Sequence, residues 1–212
     1  MNGSDLHPVV TAEPYPWPWN GPWRPEHVAL LVAGAQPAWS GASCRVEAVG
    51  AVIATVAQAL RRAGATVVAL RHLGAPTGAG RRAALRLPPA PGDPAGVLLD
   101  TVAPLADLVL DCAGINGFGG SRLDDELRGR GIEHLVLCGF GAEAAVDCTL
   151  RAANDRGYEC LTLIDGVAPF DVELGEHALH SITMSGGIFG VIGHSADLLA
   201  ALAPTHPSEE QP

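Results

Sequence analysis

Few residues of this chain could do chemistry. "LVLCGFGAEAAVDC" (135–148) reads as a strand, a tight glycine turn and a helix. An α/β hydrolytic enzyme keeps its nucleophile at such a turn, at the first turn of the helix. Here the helix opens with Ala142, Glu143, Ala144 and Ala145, none of them a nucleophile. Cys148 comes one turn deeper, where most of the terminal dipole is lost, and reads as a buried structural thiol. Cys112 closes the segment "ADLVLDC" (106–112) and is the better-placed thiol. A thiol needs a base or a cation to become a thiolate, and the candidates near it are Asp111, His72 and Glu143. All 13 basic residues are arginine, so no side-chain ammonium is available for catalysis. His72, His177 and His180 show no metal-ligand spacing, and neither a metal nor another cofactor is expected.

These residues are positioned by an alternation of strands and helices. "HVALLVAGA" (27–35) is a continuous apolar run, the pattern of a parallel strand buried on both faces. A helical pattern over 44–63 stops at Gly64, and "TVVALRH" (66–72) is the second strand. Residues 73–98 are rich in Gly, Pro and Arg and read as a long surface excursion. The third strand ends at Cys112. "SRLDDELRGRG" (121–131) starts with a capping serine and stops at glycine. "HLVLCGF" (134–140), a helix near 142–156, "ECLTLID" (159–165), a helix near 174–183, "GGIFGVIG" and a short helix "SADLLAALA" complete the chain. The expected fold is a three-layer α/β/α sandwich on a roughly six-stranded parallel sheet. Ligands of such sheets bind past the carboxyl ends of the strands. That points to Gly34, Gln36, His72, Asp111, Cys112, Asn116, Phe140, Gly141, Ala142 and Glu143.

The chain has 212 residues, which suits one large domain. Its formal net charge of −10 disfavours nucleic acid and an anionic membrane surface as partners. Five cysteines, Cys44, Cys112, Cys138, Cys148 and Cys160, form no CxxC pair, and most lie in apolar segments. Reduced thiols in a cytoplasmic protein are expected. The opening residues lack the pattern of a signal peptide, and no apolar run reaches a bilayer span. Residues 1–26 form a Pro/Trp-rich arm, 27–204 the α/β domain and 205–212 a disordered tail. Prolines 14, 16, 18 and 22 exclude a helix from the arm. Trp17, Trp19 and Trp23 require it to pack on something, either its own domain or a neighbouring subunit. An oligomer built partly through the arm is expected.

Several segments together resemble the isochorismatase-like cysteine hydrolases, and within them the biuret hydrolase branch. "AEPYPWPWNG" is similar to the arm that precedes strand one in that branch. "ALLVAGAQ" (29–36) stands where the family has ALLVIDMQ, and "RAANDRGYECL" (151–161) is nearly unaltered family sequence. "ITMSGGIFGVIGHSADLLAAL" (182–202) resembles the C-terminal segment of the branch. The resemblance implies an Asp, Lys and Cys triad in active members: a base, a supporting cation and a nucleophile at a helix N-terminus. The matching positions hold Gly34, Cys112 and Ala145. Asp111 matches an Asp that active members carry beside their lysine. The resemblance also implies a cis peptide at Phe140–Gly141.

The leading expectation is therefore a catalytically degenerate member. It would bind a small amide or carboxylate, or serve as a non-catalytic subunit in a homo-oligomer or beside an active relative. The alternative is a repurposed enzyme acting on a small amide or ring substrate, with a pocket rebuilt around Cys112. Ancestral amide hydrolysis is not expected.

Overall fold

A computed structural model describes residues 11–21, 23–40, 45–74 and 87–203. Cys44, Pro22, the first ten residues of the arm, most of the Arg-rich half of the excursion and the C-terminal tail lie outside the described residues.

Six strands form one sheet: β1 (Val28–Ala33), β2 (Thr66–Leu73), β3 (Leu108–Ala113), β4 (His134–Phe140), β5 (Glu159–Ala168) and β6 (Val191–Gly193). Their order is β3-β2-β1-β4-β5-β6, and every neighbouring pair is parallel. β1 is buried along its whole length, which is why it reads as an unbroken apolar run. Strand order reverses at β1, which lies between β2 and β4, so the crevice of this fold opens at the carboxyl ends of those strands.

The helices are α1 (Pro37–Ser40), α2 (Val46–Ala63), α3 (Leu123–Gly129), α4 (Asp147–Asn154), α5 (Val172–Ile182), α6 (Met184–Gly187) and α7 (Ser195–Ala201). α2 buries Val49, Ile53, Val56 and Leu60, a single stripe at helical spacing. It ends at Gly64, whose φ of 100° lets its N–H turn back to the Leu60 and Arg61 carbonyls. No helix among the described residues is long and apolar enough to cross a membrane.

β5 runs three residues beyond its expected end. Its pairing with β4 jumps from Leu137↔Thr162 to Gly139↔Val167, so the residues between bulge from the ladder. Asp165, in that bulge, accepts from the Ser195 N–H at 2.9 Å and hydroxyl at 2.5 Å, which fixes the start of α7.

The arm packs on its own domain and crosses the amino ends of the strands in turn. Glu13 pairs antiparallel with Ile192 of β6, with both backbone hydrogen bonds at 2.9 Å. The Tyr15 hydroxyl donates to Glu159, the first residue of β5, at 3.4 Å. The Trp19 ring lies 5.6 Å from that of His134, the first residue of β4, and 5.7 Å from Trp23. A short 3-10 turn, Pro25–His27, then delivers the chain into β1. Trp19 and Trp23 are buried within the single chain, whereas Trp17 is 59% exposed.

Candidate functional site

An aromatic stack packs just past the carboxyl ends of the strands. β1 stops at Gly34, whose φ is +64°. A Cβ there would stand 2.5 Å from the Phe140 carbonyl oxygen and 3.3 Å from the Trp39 Cβ. The chain turns from Gly34 into α1, which carries Trp39 inward to full burial. Its indole meets the His72 imidazole edge to face at 5.5 Å and stacks on Phe170 at 5.8 Å. A Cβ at Gly141, on the far side, would lie 3.2 Å from the Trp39 ring and 3.3 Å from Phe170. Trp39 thus occupies ground bounded by the ends of β1, β2, β4 and β5. The two glycines leave the room that the ring takes.

His72 is fully buried on β2. Its Nδ1 lies 3.2 Å from the Gly114 carbonyl oxygen, so Nδ1 carries the proton and Nε2 the lone pair. Burial lowers its pKa from 6.5 to about 4, against a smaller opposing effect of the Gly114 hydrogen bond. The ring is neutral at pH 7. Among the described residues, neither His72 Nε2 nor Trp39 Nε1 has a hydrogen-bond partner.

Gln36 clamps β2 to the loop at Gly96. Its amide donates to the Gly96 carbonyl at 2.8 Å and the His72 carbonyl at 3.4 Å, and accepts from the His72 N–H at 2.8 Å. Glu143 also serves the stack. One carboxylate oxygen accepts from the Phe170 and Asp171 N–H groups at 2.9 and 3.0 Å, which holds Phe170 against Trp39.

Cys112 and Asp111 point to opposite faces of the sheet, as adjacent strand residues must. Asp111 is exposed and takes a two-point contact from Arg71, at 2.6 and 2.9 Å. Cys112 is buried beside His72, its cross-strand partner. Burial pushes the thiol up to about 12, with Ser121 pulling it down and Asp111 pushing it further up. No hydrogen bond joins it to His72, because Nδ1 faces Gly114 and Nε2 has no partner. The Asn116 Oδ1 accepts from the Phe118 N–H at 2.9 Å and shapes its own loop.

The turn after β4 keeps its glycine but not the expected peptide geometry. The cis bonds among the described residues precede Pro14, Pro18 and Pro88, and Phe140–Gly141 is not one of them. The Gly141 N–H donates to Ala168 at 2.8 Å, and its carbonyl accepts from Ala144 at 2.9 Å and Val146 at 3.2 Å. Residues Ala142–Val146 form a wide π turn, with Ala142 and Ala145 buried. The Ala145 carbonyl accepts from the Thr149 hydroxyl at 2.7 Å, and that hydroxyl accepts from the Gly117 N–H at 2.9 Å. The loop after β3 is thereby drawn onto α4.

The structure thus gathers Gly34, His72, Gly141 and Glu143 around one centre, and sets Asp111 on the exposed face with Arg71 and the Asn116 side-chain amide on its own loop. His177 and His180 are exposed on α5. Sequence reasoning missed Trp39 and Phe170. The available signal was a large aromatic placed a few residues past a strand end, Trp39 after β1 and Phe170 after β5. An apolar groove of about 460 Å³ lies elsewhere, along α2 and Leu99–Thr101, and none of the expected site residues lines it.

The isochorismatase domain family matches residues 28–193. Among curated relatives, the ureidoacrylate amidohydrolase RutB of Azorhizobium caulinodans is 32% identical over 114 residues, 53% of this chain and 49% of that protein. The uncharacterized isochorismatase family protein YwoC of Bacillus subtilis is 38% identical over 65 residues, 31% of this chain and 34% of that protein. The chain thus spans about half or less of the curated relatives it matches. Among solved structures, a cysteine hydrolase from Pseudomonas syringae pv. phaseolicola 1448A superposes with a TM-score of 0.76 at 24% identity, covering 92% of this chain and 97% of that one. The nicotinamidase/pyrazinamidase PncA of Bacillus subtilis gives 0.69 at 20% identity, covering 79% of this chain and all (100%) of that one. At these identities the superpositions speak to the fold.

Proposed function

The chain belongs to the isochorismatase family, and we propose that it is a member whose hydrolytic crevice is closed, so that it acts by association rather than by turnover. One observation carries this reading: the buried Trp39 indole lies across the strand ends, packed between Gly34, His72, Gly141 and Phe170. The groups around it supply no reacting pair. Gly34 and Ala145 offer no side-chain base or nucleophile, and Cys112 is a buried thiol held protonated at neutral pH. The function left to such a scaffold is that of a non-catalytic subunit, alone in a homo-oligomer or beside an active relative.

The alternative, an enzyme rebuilt around Cys112, needs Asp111, Glu143 and Asn116 to converge on the thiol. Asp111 is engaged by Arg71, Glu143 by the Phe170 and Asp171 amides, and Asn116 by its own loop. That arrangement argues against it.

The test is ammonia release from ureidoacrylate, biuret and nicotinamide by the purified protein. Background rates are expected with all three. Release at enzymatic rates that a Cys112→Ser variant abolishes would overturn the proposal and make Cys112 the nucleophile.

A further inference from the structure

We propose that Asn20–Gly21, in the arm, is a site of self-modification at which the folded chain converts Asn20 to aspartate and isoaspartate and so loosens the arm. The inference goes beyond the proposed function and does not depend on whether the crevice turns over substrate.

Asn–Gly pairs stand at three places in the sequence, 2–3, 20–21 and 116–117. The first lies outside the described residues. The other two are equivalent in sequence, and the fold separates them. Asn20 is exposed, and among the described residues no hydrogen bond holds its side chain. Gly21 stands in open space, where among the described residues a Cβ would meet nothing nearer than the Pro18 carbonyl oxygen, at 3.7 Å. The Gly21 N–H closes a turn back to that oxygen at 3.2 Å, the long limit for such a bond. Asn116 is locked by comparison. Its Oδ1 accepts from the Phe118 N–H at 2.9 Å, and the Gly117 N–H donates to the Thr149 hydroxyl, also at 2.9 Å. Gly117 is buried, and a Cβ there would stand 2.6 Å from Leu70 and 2.9 Å from the Thr149 methyl.

The reaction is an intramolecular displacement followed by hydrolysis. Hydroxide takes the proton of the Gly21 amide, and the nitrogen attacks Cγ of Asn20. The N–Cγ bond forms, the Cγ–Nδ2 bond breaks, and Nδ2 takes up a proton and leaves as ammonia. The product is a succinimide ring, which water opens. Cleavage of the new N–Cγ bond gives aspartate on the original main chain. Cleavage of the bond from the nitrogen to the Asn20 main-chain carbonyl carbon gives isoaspartate, whose main chain runs through the side-chain carbons. Nothing is oxidised or reduced, and hydroxide and water are the co-reactants. Ring closure needs a nitrogen unshielded by a Cβ on a backbone free to turn, which glycine supplies.

The position of the pair sets the consequence. Asn20 follows Trp19, which is fully buried against His134, and Trp23, 3% exposed, comes three residues later. The two indoles meet edge to face at 5.7 Å. Isoaspartate inserts one methylene into the main chain between them, and close-packed interiors register a change of that size. Aspartate adds a charge at an exposed position and leaves the main chain its length.

The test is peptide mapping by mass spectrometry on the full chain held at pH 6 and at pH 9. The Asn20 peptide should gain one mass unit and yield isoaspartate, faster at pH 9 because the nitrogen must lose its proton. Asn116 should convert in denaturant and stay intact in the folded chain. Gly21→Ala fits the open space and should lose the conversion. The isolated isoaspartate form should melt below the unmodified chain, whereas Asn20→Asp should melt near wild type. The proposal is overturned if Asn20 stays intact in the folded chain at pH 9, if Asn116 converts there as fast as Asn20, or if Gly21→Ala converts at the wild-type rate. Equal melting of the isoaspartate and unmodified chains would overturn the loosening of the arm. This site releases at most one ammonia per chain, so it cannot pass for turnover. Hydrolysis of added substrates would sink the closed-crevice reading and leave these maps as they are.

Discussion

The Trp39 indole and the His72 imidazole meet edge to face with centroids 5.5 Å apart, and the Nε nitrogen of each is buried without a partner among the described residues. An unsatisfied buried polar group costs about 1–3 kcal/mol. The stack persists because a fully buried indole brings a large apolar area out of water.

Removing the ring should therefore be expensive, and keeping a smaller aromatic ring without the N–H should cost less. Trp39→Ala is expected to lower unfolding stability by about 3–5 kcal/mol. Trp39→Phe keeps an aromatic body, discards the orphan donor and should cost clearly less. Urea denaturation measures both. A Trp39→Ala variant within about 1 kcal/mol of wild type would mean that the ring does not fill the crevice.

His72 makes stability depend on pH. Its folded pKa is lowered to about 4 from 6.5, so between these values the unfolded chain binds the extra proton. The contribution is fully present above pH 6.5, is lost as pH falls toward 4 and changes no further below that. Its size is about 3 kcal/mol, at 1.36 kcal/mol per pKa unit. His134 is lowered too, by burial, and adds to the same slope. Denaturant midpoints collected across this window should fall with falling pH. A His72→Gln variant should flatten the larger share of that fall; an unchanged slope would contradict the burial of this ring.

The fold was legible because its signals are local and repeated. β1 reads as a buried strand from six consecutive apolar residues, and α2 declares its end at Gly64. The bulge that lengthens β5 was not legible, because it depends on the β4 partner and on Ser195 holding Asp165. At the candidate site, Gly34 and Ala145 could be read directly because they stand in the sequence itself. What packs there was not legible, since Trp39 and Phe170 are 131 residues apart in sequence (170 − 39) and meet only when β1 and β5 share a sheet. The hydrogen-bond partners of Gln36 and Glu143 were not legible for a similar reason. Their partners, Gly96 and the Phe170 and Asp171 amides, belong to distant loops.

Cysteine labelling gives an independent view of the site. Cys112 is buried with its pKa pushed up to about 12, and Cys138 and Cys160 are fully buried with theirs pushed higher still. All three should resist iodoacetamide at pH 8 in the folded protein and react only on denaturation, as peptide mass spectrometry would show. Rapid native-state labelling of Cys112 would restore it as a candidate nucleophile.

The tryptophans of the arm should separate folding from association. Trp19 is buried against Trp23 and His134, so Trp19→Ala is expected to cost about 3–5 kcal/mol in stability. Trp17, mostly exposed, should cost less than about 0.5 kcal/mol when changed to Ala. Thermal melts of the two variants decide this. Equal destabilisation would place Trp17 in the core of the single chain.

Restoring the missing triad residues should not restore hydrolysis, and the obstacle is geometric before it is chemical. Ala145→Cys alone returns a thiol to the turn without a base or a cation beside it. Adding Cys112→Lys puts an ammonium where burial disfavours charge. Adding Gly34→Asp is worse. The backbone there has a φ of +64°, and the new Cβ would stand 2.5 Å from the Phe140 carbonyl oxygen and 3.3 Å from Trp39. The aspartate can enter only if β1 and β4 move apart, and the Trp39 ring must give way as well. Gly34→Asp is therefore expected to destabilise the fold by several kcal/mol, and the triple variant to release no ammonia from ureidoacrylate above background. A quadruple variant that also carries Trp39→Gly discriminates the causes. Activity appearing only in that variant would identify the indole as the block. Turnover by Ala145→Cys alone would refute the closed crevice, because a substrate would then be reaching a thiol that the aromatic stack is argued to exclude.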